Sequence, residues 1–96
     1  MSDLIIVAHV TAKPGHETAL VAAQKQLVDI VRKQPGCILY DLHESEQQAG
    51  DVIFFERWAD RTAWENHMNG AHMDAFRAQA GHLIGSFELS QMRQIA

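Results

Sequence analysis

Between Phe54 and Phe76 the chain concentrates side chains that can move protons and hold flat rings: Glu56, Trp58, Trp64, His67 and His72. Imidazole is the side chain whose ordinary pKa lies nearest neutrality, and two of the chain's six histidines, His67 and His72, lie in this stretch. Glu56 and Trp58 are two residues apart on a strand and therefore share a face, which also carries Val52 and Phe54. A carboxylate on so apolar a face needs a hydrogen-bonding or charged partner, because burying it alone is costly. A histidine from the following helix is the expected partner, with the surroundings of Arg57 or a backbone N–H as alternatives. Such a bond either locks helix to sheet or makes Glu56 a pocket acid in a proton relay. Trp58 and Trp64 either fill core or line a flat apolar pocket. Tyr40, the one tyrosine, can pack its ring while its hydroxyl seeks a partner.

Two histidines and a carboxylate are also the residue types of a non-haem iron triad, although Glu56, His67 and His72 match no metal-ligand spacing. On one continuous helix His67 and His72 would lie about 140° apart. Asn69-Gly70 interrupts that helix and frees both to reach one cavity. The remaining histidines are less informative. His9 interrupts an apolar strand as an interface residue or a pocket edge, His43 alternates outward with Asp41, and His16 and His82 read as surface. Cys37, the single cysteine, reads as buried filler. No Ser/His/Asp arrangement and no Gly-rich phosphate loop stands out.

The elements that must position these residues follow from periodicity. Leu4–Thr11 is β-branched and apolar, and Lys13-Pro14-Gly15 ends it with turn chemistry. From His16 to Gln34 the period becomes helical, with Leu20, Ala23, Leu27, Ile30 and Val31 on one face and Glu17, Gln24, Lys25 and Lys33 largely off it. Pro35-Gly36 stops the helix. Cys37–Glu46 alternates as a strand, Gln47–Asp51 turns, and Val52–Ala59 returns as its hairpin partner. Asp60 is placed to cap a helix running through Met68. Helical spacing resumes from Ala71 to about His82, and Phe87–Ile95 closes the chain as a fourth strand. The order β-α-β-β-α-β predicts an α+β, ferredoxin-like domain over 1–96, with two helices on one face of a four-stranded antiparallel sheet. Leu4–Val7 and Val52–Phe55 are apolar at every position rather than alternately, so both faces of the central strands call for burial. Helices cover one face, and the other is expected to pack against a second copy.

Composition narrows the function. Eight basic against twelve acidic residues give a net charge of −4 at neutral pH, and the lysines and arginines are scattered singly, which argues against a nucleic-acid partner. The start, Met-Ser-Asp followed by a short apolar run, has the features of neither a signal peptide nor a membrane helix. The expectation is a cytoplasmic protein without a membrane partner.

Three stretches, LIIVAHVTAKPG, PGCILYDLHES and FFERWADRTAWENHMNGAHMDAF, resemble the antibiotic biosynthesis monooxygenase family over nearly the whole chain. The most specific part is Glu56-x-Trp58 followed by His67 and His72-Met73, which resembles the quinol monooxygenase branch. The resemblance implies a dimeric α+β barrel that oxidises a small aromatic quinol or phenol with molecular oxygen, without metal, flavin or haem. It implies His67 or His72 as proton acceptor, Glu56 as the group that orients it, and Trp58, Phe54, Tyr40 and Trp64 as pocket-lining residues. Haem-degrading relatives use a histidine whose position falls near Phe76 or Arg77 here, and neither ligates iron. Two other readings share the same residues: an isomerase or other proton-transfer enzyme of the same fold, and a dimeric protein that binds a quinone-like metabolite without converting it.

Overall fold

A computed structural model describes residues 3–96. Strand β1 (Leu4–Ala12) leads into helix α1 (Glu17–Val31), then the hairpin β2 (Cys37–Glu44) and β3 (Asp51–Trp58), helices α2 (Arg61–Met68) and α3 (Ala71–Ala80), a single 3₁₀ turn at Gly81–Leu83, and β4 (Ile84–Met92). The four strands form one antiparallel sheet in the order β2-β3-β1-β4. This is the expected ferredoxin-like α+β arrangement, with the second helical segment divided in two. Among the described residues no helix is long and apolar enough to cross a membrane.

Local chemistry accounts for the boundaries. The Asp60 carboxylate accepts from the Ala63 backbone N–H at 2.8 Å and caps α2, satisfying one of the donors that a helix start leaves unpaired. Gly36, at φ +82°, turns the chain from α1 into β2 and lies so close to Ala63 that an added Cβ would sit 2.5 Å from its methyl. The fourth strand begins three residues earlier than expected, at Ile84, and ends at Met92. Backbone pairing with β1 through Ala12↔Ile84 holds it there, across a register irregularity at Thr11/Ala12, and side-chain alternation carries no trace of that pairing.

The sheet's pleat sorts its residues into two faces. On the helix side Ile6, Ala8, Val10, Val52, Phe54 and Trp58 are buried against Leu20, Leu27 and Val31 of α1. Two expectations for α1 are corrected. Ile30 is half exposed, whereas Gln24 is 1% exposed and occupies the centre of the buried stripe. The reason is angular: at about 100° per residue, Gln24 falls between Leu20, Leu27, Val28 and Val31, and Ile30 falls outside them. The opposite face of the sheet has no helix over it. Ile5, Val7, Leu39, Ile53 and Phe55 lie there by register, together with a polar group in which the His9 imidazole meets Asp51 at 2.5 Å and Thr11 donates to the same carboxylate at 3.1 Å.

Candidate active site

Strand β3 delivers Phe54, Glu56 and Trp58 to the helix side of the sheet, and Tyr40 is the cross-strand neighbour of Glu56 on β2. Helix α2 lays His67 over them. The His67 ring stacks on Trp58, with centroids 4.8 Å apart and planes 24° from parallel, and meets the Tyr40 ring edge-on at 5.7 Å. His72 then folds back from the start of α3. Its Nε2 lies 2.9 Å from Nδ1 of His67, and the two imidazoles stack at 5.1 Å. The interruption at Asn69-Gly70 makes this contact possible. Gly70 is required in particular, because a Cβ there would lie 2.7 Å from Cε1 of His72, inside any real contact distance.

Glu56 departs from expectation. Its hydrogen bond comes from the Trp58 indole Nε1–H to Oε1, at 2.9 Å, and not from a histidine. Alternation places Trp58 beside it on the same face, whereas His67 spends its Nδ1 on His72. Among the described residues no group of three His, Cys, Asp or Glu side chains is arranged to hold a metal ion, so Glu56, His67 and His72 do not form an iron triad.

Burial sets the protonation states. Glu56 is 4% exposed, and loss of hydration pushes its carboxyl up to about 7, although the Trp58 hydrogen bond pulls in the other direction. His67 is held down to about 4 by burial, and further by the neighbouring His72 and Arg77 charges. His72 is lowered for the same reasons, burial first and then Arg77, with Asp74 opposing. The Tyr40 phenol is raised by burial and then by Glu56, which keeps it neutral. At pH 7 the site thus holds two neutral imidazoles in contact and a carboxyl near its midpoint.

Glu56, His67 and Tyr40 border a cavity of about 60 Å³ between the sheet and the helices, room for a few waters. Its wall is almost wholly apolar, built from residues such as Leu27, Met68, Met73 and Phe76, and Gln24, Glu56, His67 and Tyr40 also border it. Phe87, half exposed on β4, brings the cavity to the surface. Of the seven residues singled out from the sequence, Phe54, Tyr40, Glu56 and His67 line it directly, whereas His72, expected to reach the same cavity, stands behind His67, in contact with that ring. Trp58 and Trp64 are not among its lining residues. Trp58 is fully buried beneath His67, and Trp64 packs against the core with its indole N–H buried and unpartnered. The sequence reading missed Gln24 and the apolar wall from α3 and β4. Helical spacing from Leu20 and Val28 was the available sign for Gln24.

The other chemistry-bearing residues lie elsewhere. His16, His43 and His82 are exposed. Cys37 is half-buried against the core edge, and its thiol is pushed up by burial and then by Glu56, with Arg32 opposing.

Comparison with known proteins agrees with this architecture. Residues 3–79 match the family model described as "Antibiotic biosynthesis monooxygenase". The protein named "Putative monooxygenase Rv0793" from Mycobacterium tuberculosis is 32% identical over 83 residues, covering 86% of this chain and 81% of the relative. "Putative monooxygenase YcnE" of Bacillus subtilis is 25% identical over 83 residues, covering 86% and 87%. The crystal structure of PA3566 from Pseudomonas aeruginosa superimposes with a TM-score of 0.94 at 31% identity, over 100% of this chain and 97% of that one. The fold, the matched span and the mycobacterial relative together establish that this chain belongs to the antibiotic biosynthesis monooxygenase family.

Proposed function

We propose that this protein oxidises a small aromatic quinol or phenol with molecular oxygen, the substrate itself supplying the electrons, so that no metal, flavin or haem is needed. The observation that carries the proposal is the His67–His72 contact at 2.9 Å, running from a buried wall of the apolar cavity to a partly exposed ring. A phenol reacts with oxygen far more readily as its anion, so the protein's task is to remove a proton and hold the ring away from water. His67 takes the hydroxyl proton at Nε2 while its Nδ1–H passes to Nε2 of His72. That concerted relay avoids leaving a cation on the more deeply buried ring, where charge is least favoured.

The anion then gives one electron to oxygen, and the ring radical and superoxide join through a new C–O bond. The peroxide regains a proton through the histidine pair. Glu56 takes the proton from the same ring carbon and hands it to the departing hydroxide as the O–O bond breaks. In sum, quinol and oxygen become hydroxylated quinone and water. A carboxyl with a pKa near 7 suits a group that must accept and return one proton at neutral pH. The present cavity is too small for a ring, which enters by displacing side chains such as Met68 and Met73, whose unbranched thioethers adapt readily. We further propose that the uncovered sheet face packs on the same face of a second copy, because Ile5, Val7, Leu39, Ile53 and Phe55 form an apolar strip across it.

The test is oxygen uptake by chelator-treated protein given a one-ring hydroquinone or a reduced naphthoquinol, beside a His67→Ala/His72→Ala double variant. Uptake above the spontaneous rate that disappears in the variant is the expected result. Undiminished uptake by the double variant would remove the histidines from the mechanism. No uptake with any quinol, alongside measurable binding, would favour proton-transfer chemistry or sequestration instead.

A further inference from the structure

Gln24 is the buried polar residue that the mechanism leaves unused. Its side chain is 1% exposed and lines the cavity, yet its Oε1 has no hydrogen-bond partner among the described residues. Buried carboxamides are almost always paired, because an unpaired acceptor forfeits the hydrogen bonds it had in water. The neighbours on its stripe, Leu20, Leu27, Val28 and Val31, show that this position suits a hydrocarbon. An isosteric apolar residue would pack there without that cost. Gln24 stands in α1, whereas Glu56 comes from β3 and His67 from α2, so its amide is a polar point in the cavity separate from the proton-handling groups.

We infer that Gln24 is a substrate-binding residue whose Oε1 accepts a hydrogen bond from a second hydroxyl of the substrate, so that the cavity selects aromatic diols over rings bearing one hydroxyl. The inference rests on the reading of the cavity as a phenol-binding site and adds a specificity determinant to it. One hydroxyl lies with the histidine pair, and the other satisfies the orphaned carboxamide. A ring without the second O–H leaves Oε1 unpaired in the complex as well, and sites built around such a bond discriminate strongly against the analogue lacking it. The unliganded protein tolerates an unsatisfied amide that binding then repairs, a form of stability given up for recognition.

The experiment measures binding rather than turnover. Hydroquinone, phenol and 4-methoxyphenol are titrated into the protein by calorimetry under argon, with Gln24→Leu and the volume-conserving Gln24→Met in parallel. The wild type is expected to bind hydroquinone about fivefold or more tightly than either one-hydroxyl ring. In both variants that preference falls to within about twofold, while the unliganded variants melt about 4 °C or more above the wild type. 4-Methoxyphenol keeps the second oxygen without its proton, so weak binding of this probe identifies Gln24 as the acceptor.

The inference is overturned if the wild type binds the three rings alike or binds none, if either folded variant keeps the hydroquinone preference, or if both variants melt lower. Oxygen uptake distinguishes its failure from that of the oxygenase reading. Selective, Gln24-dependent binding without uptake would sink only the oxidation chemistry, and uptake with Gln24-independent binding would sink only the role of Gln24.

Discussion

Glu56 and His67 lie in one buried site with pKa values displaced in opposite directions, and their effects on stability should nearly cancel until one is removed. The Glu56 carboxyl rises from 4.5 to about 7 on folding. The native state therefore holds its proton more tightly than the unfolded chain does. Its contribution is fully present below pH 4.5 and is lost as pH climbs through 7. His67 falls from 6.5 to about 4. There the unfolded chain binds the extra proton, so the contribution is full above pH 6.5 and is lost as pH drops through 4. Each displacement spans up to about 3 kcal/mol, at about 1.4 kcal/mol per pH unit. Between pH 4.5 and 6.5 the two slopes oppose each other. Glu56→Gln keeps the size of the side chain and an acceptor for the Trp58 indole, and it should unmask a rise in stability from pH 4 to 6.5. His67→Asn should unmask a fall from pH 4.5 to 7. Urea unfolding followed by tryptophan fluorescence at half-unit pH intervals reads both. If the Glu56→Gln profile parallels the wild type, the carboxyl is not displaced, and the assignment of Glu56 as a neutral-pH acid and base loses its physical basis.

Gly70→Ala should leave the fold intact and drive the His72 ring away from His67, because the new methyl would occupy the space of Cε1. The readout is loss of the mutual NMR perturbation between the two imidazoles, and an unperturbed pair would refute the steric argument. Trp58→Phe removes the indole hydrogen bond to Glu56, so the Glu56 titration should move further above 7, and stability should drop by about 1–3 kcal/mol; calorimetry and carboxyl NMR report the two effects. Phe55→Asp places a charge on the uncovered sheet face and should halve the mass seen by sedimentation at micromolar concentration. A wild type that already sediments as a monomer contradicts the proposed pairing.

The architecture was legible in the sequence because its signals are local and repeated. β-Branched runs, the Pro35-Gly36 stop and the Asp60 cap each point the same way, and consistency across such levels marks a well-specified fold. Glu56, His67, Tyr40 and Phe54 were legible as cavity residues, since strand alternation and the break at Asn69-Gly70 constrain where they face. The partner of Glu56 was not. Choosing between an indole two residues away and an imidazole on the next helix depends on the angle at which α2 crosses the sheet, which no periodicity encodes. Gln24 was missed for a different reason. Sorting residues by polarity sends a glutamine to solvent, whereas the geometry of α1 keeps it inside with Leu20 and Val31, so position outweighed chemistry there. The extent of β4 depended on pairing with β1, an interaction between segments more than seventy residues apart in the chain.

The roof of the cavity is two short helices joined at Gly70 rather than one long one, and this separates two kinds of evolutionary freedom. The titratable groups of the site gather around the joint and the adjoining strand, at Glu56, His67 and His72. The residues that give the void its shape, among them Leu27, Met73, Phe76 and Phe87, are distributed over α1, α3 and β4. A lineage can therefore exchange wall residues, enlarging or narrowing the space, without disturbing those titratable groups. Reshaping the cavity of such a scaffold needs few coordinated substitutions. Sequence differences between chains with this joint should accumulate on the wall and be sparse at the hinge.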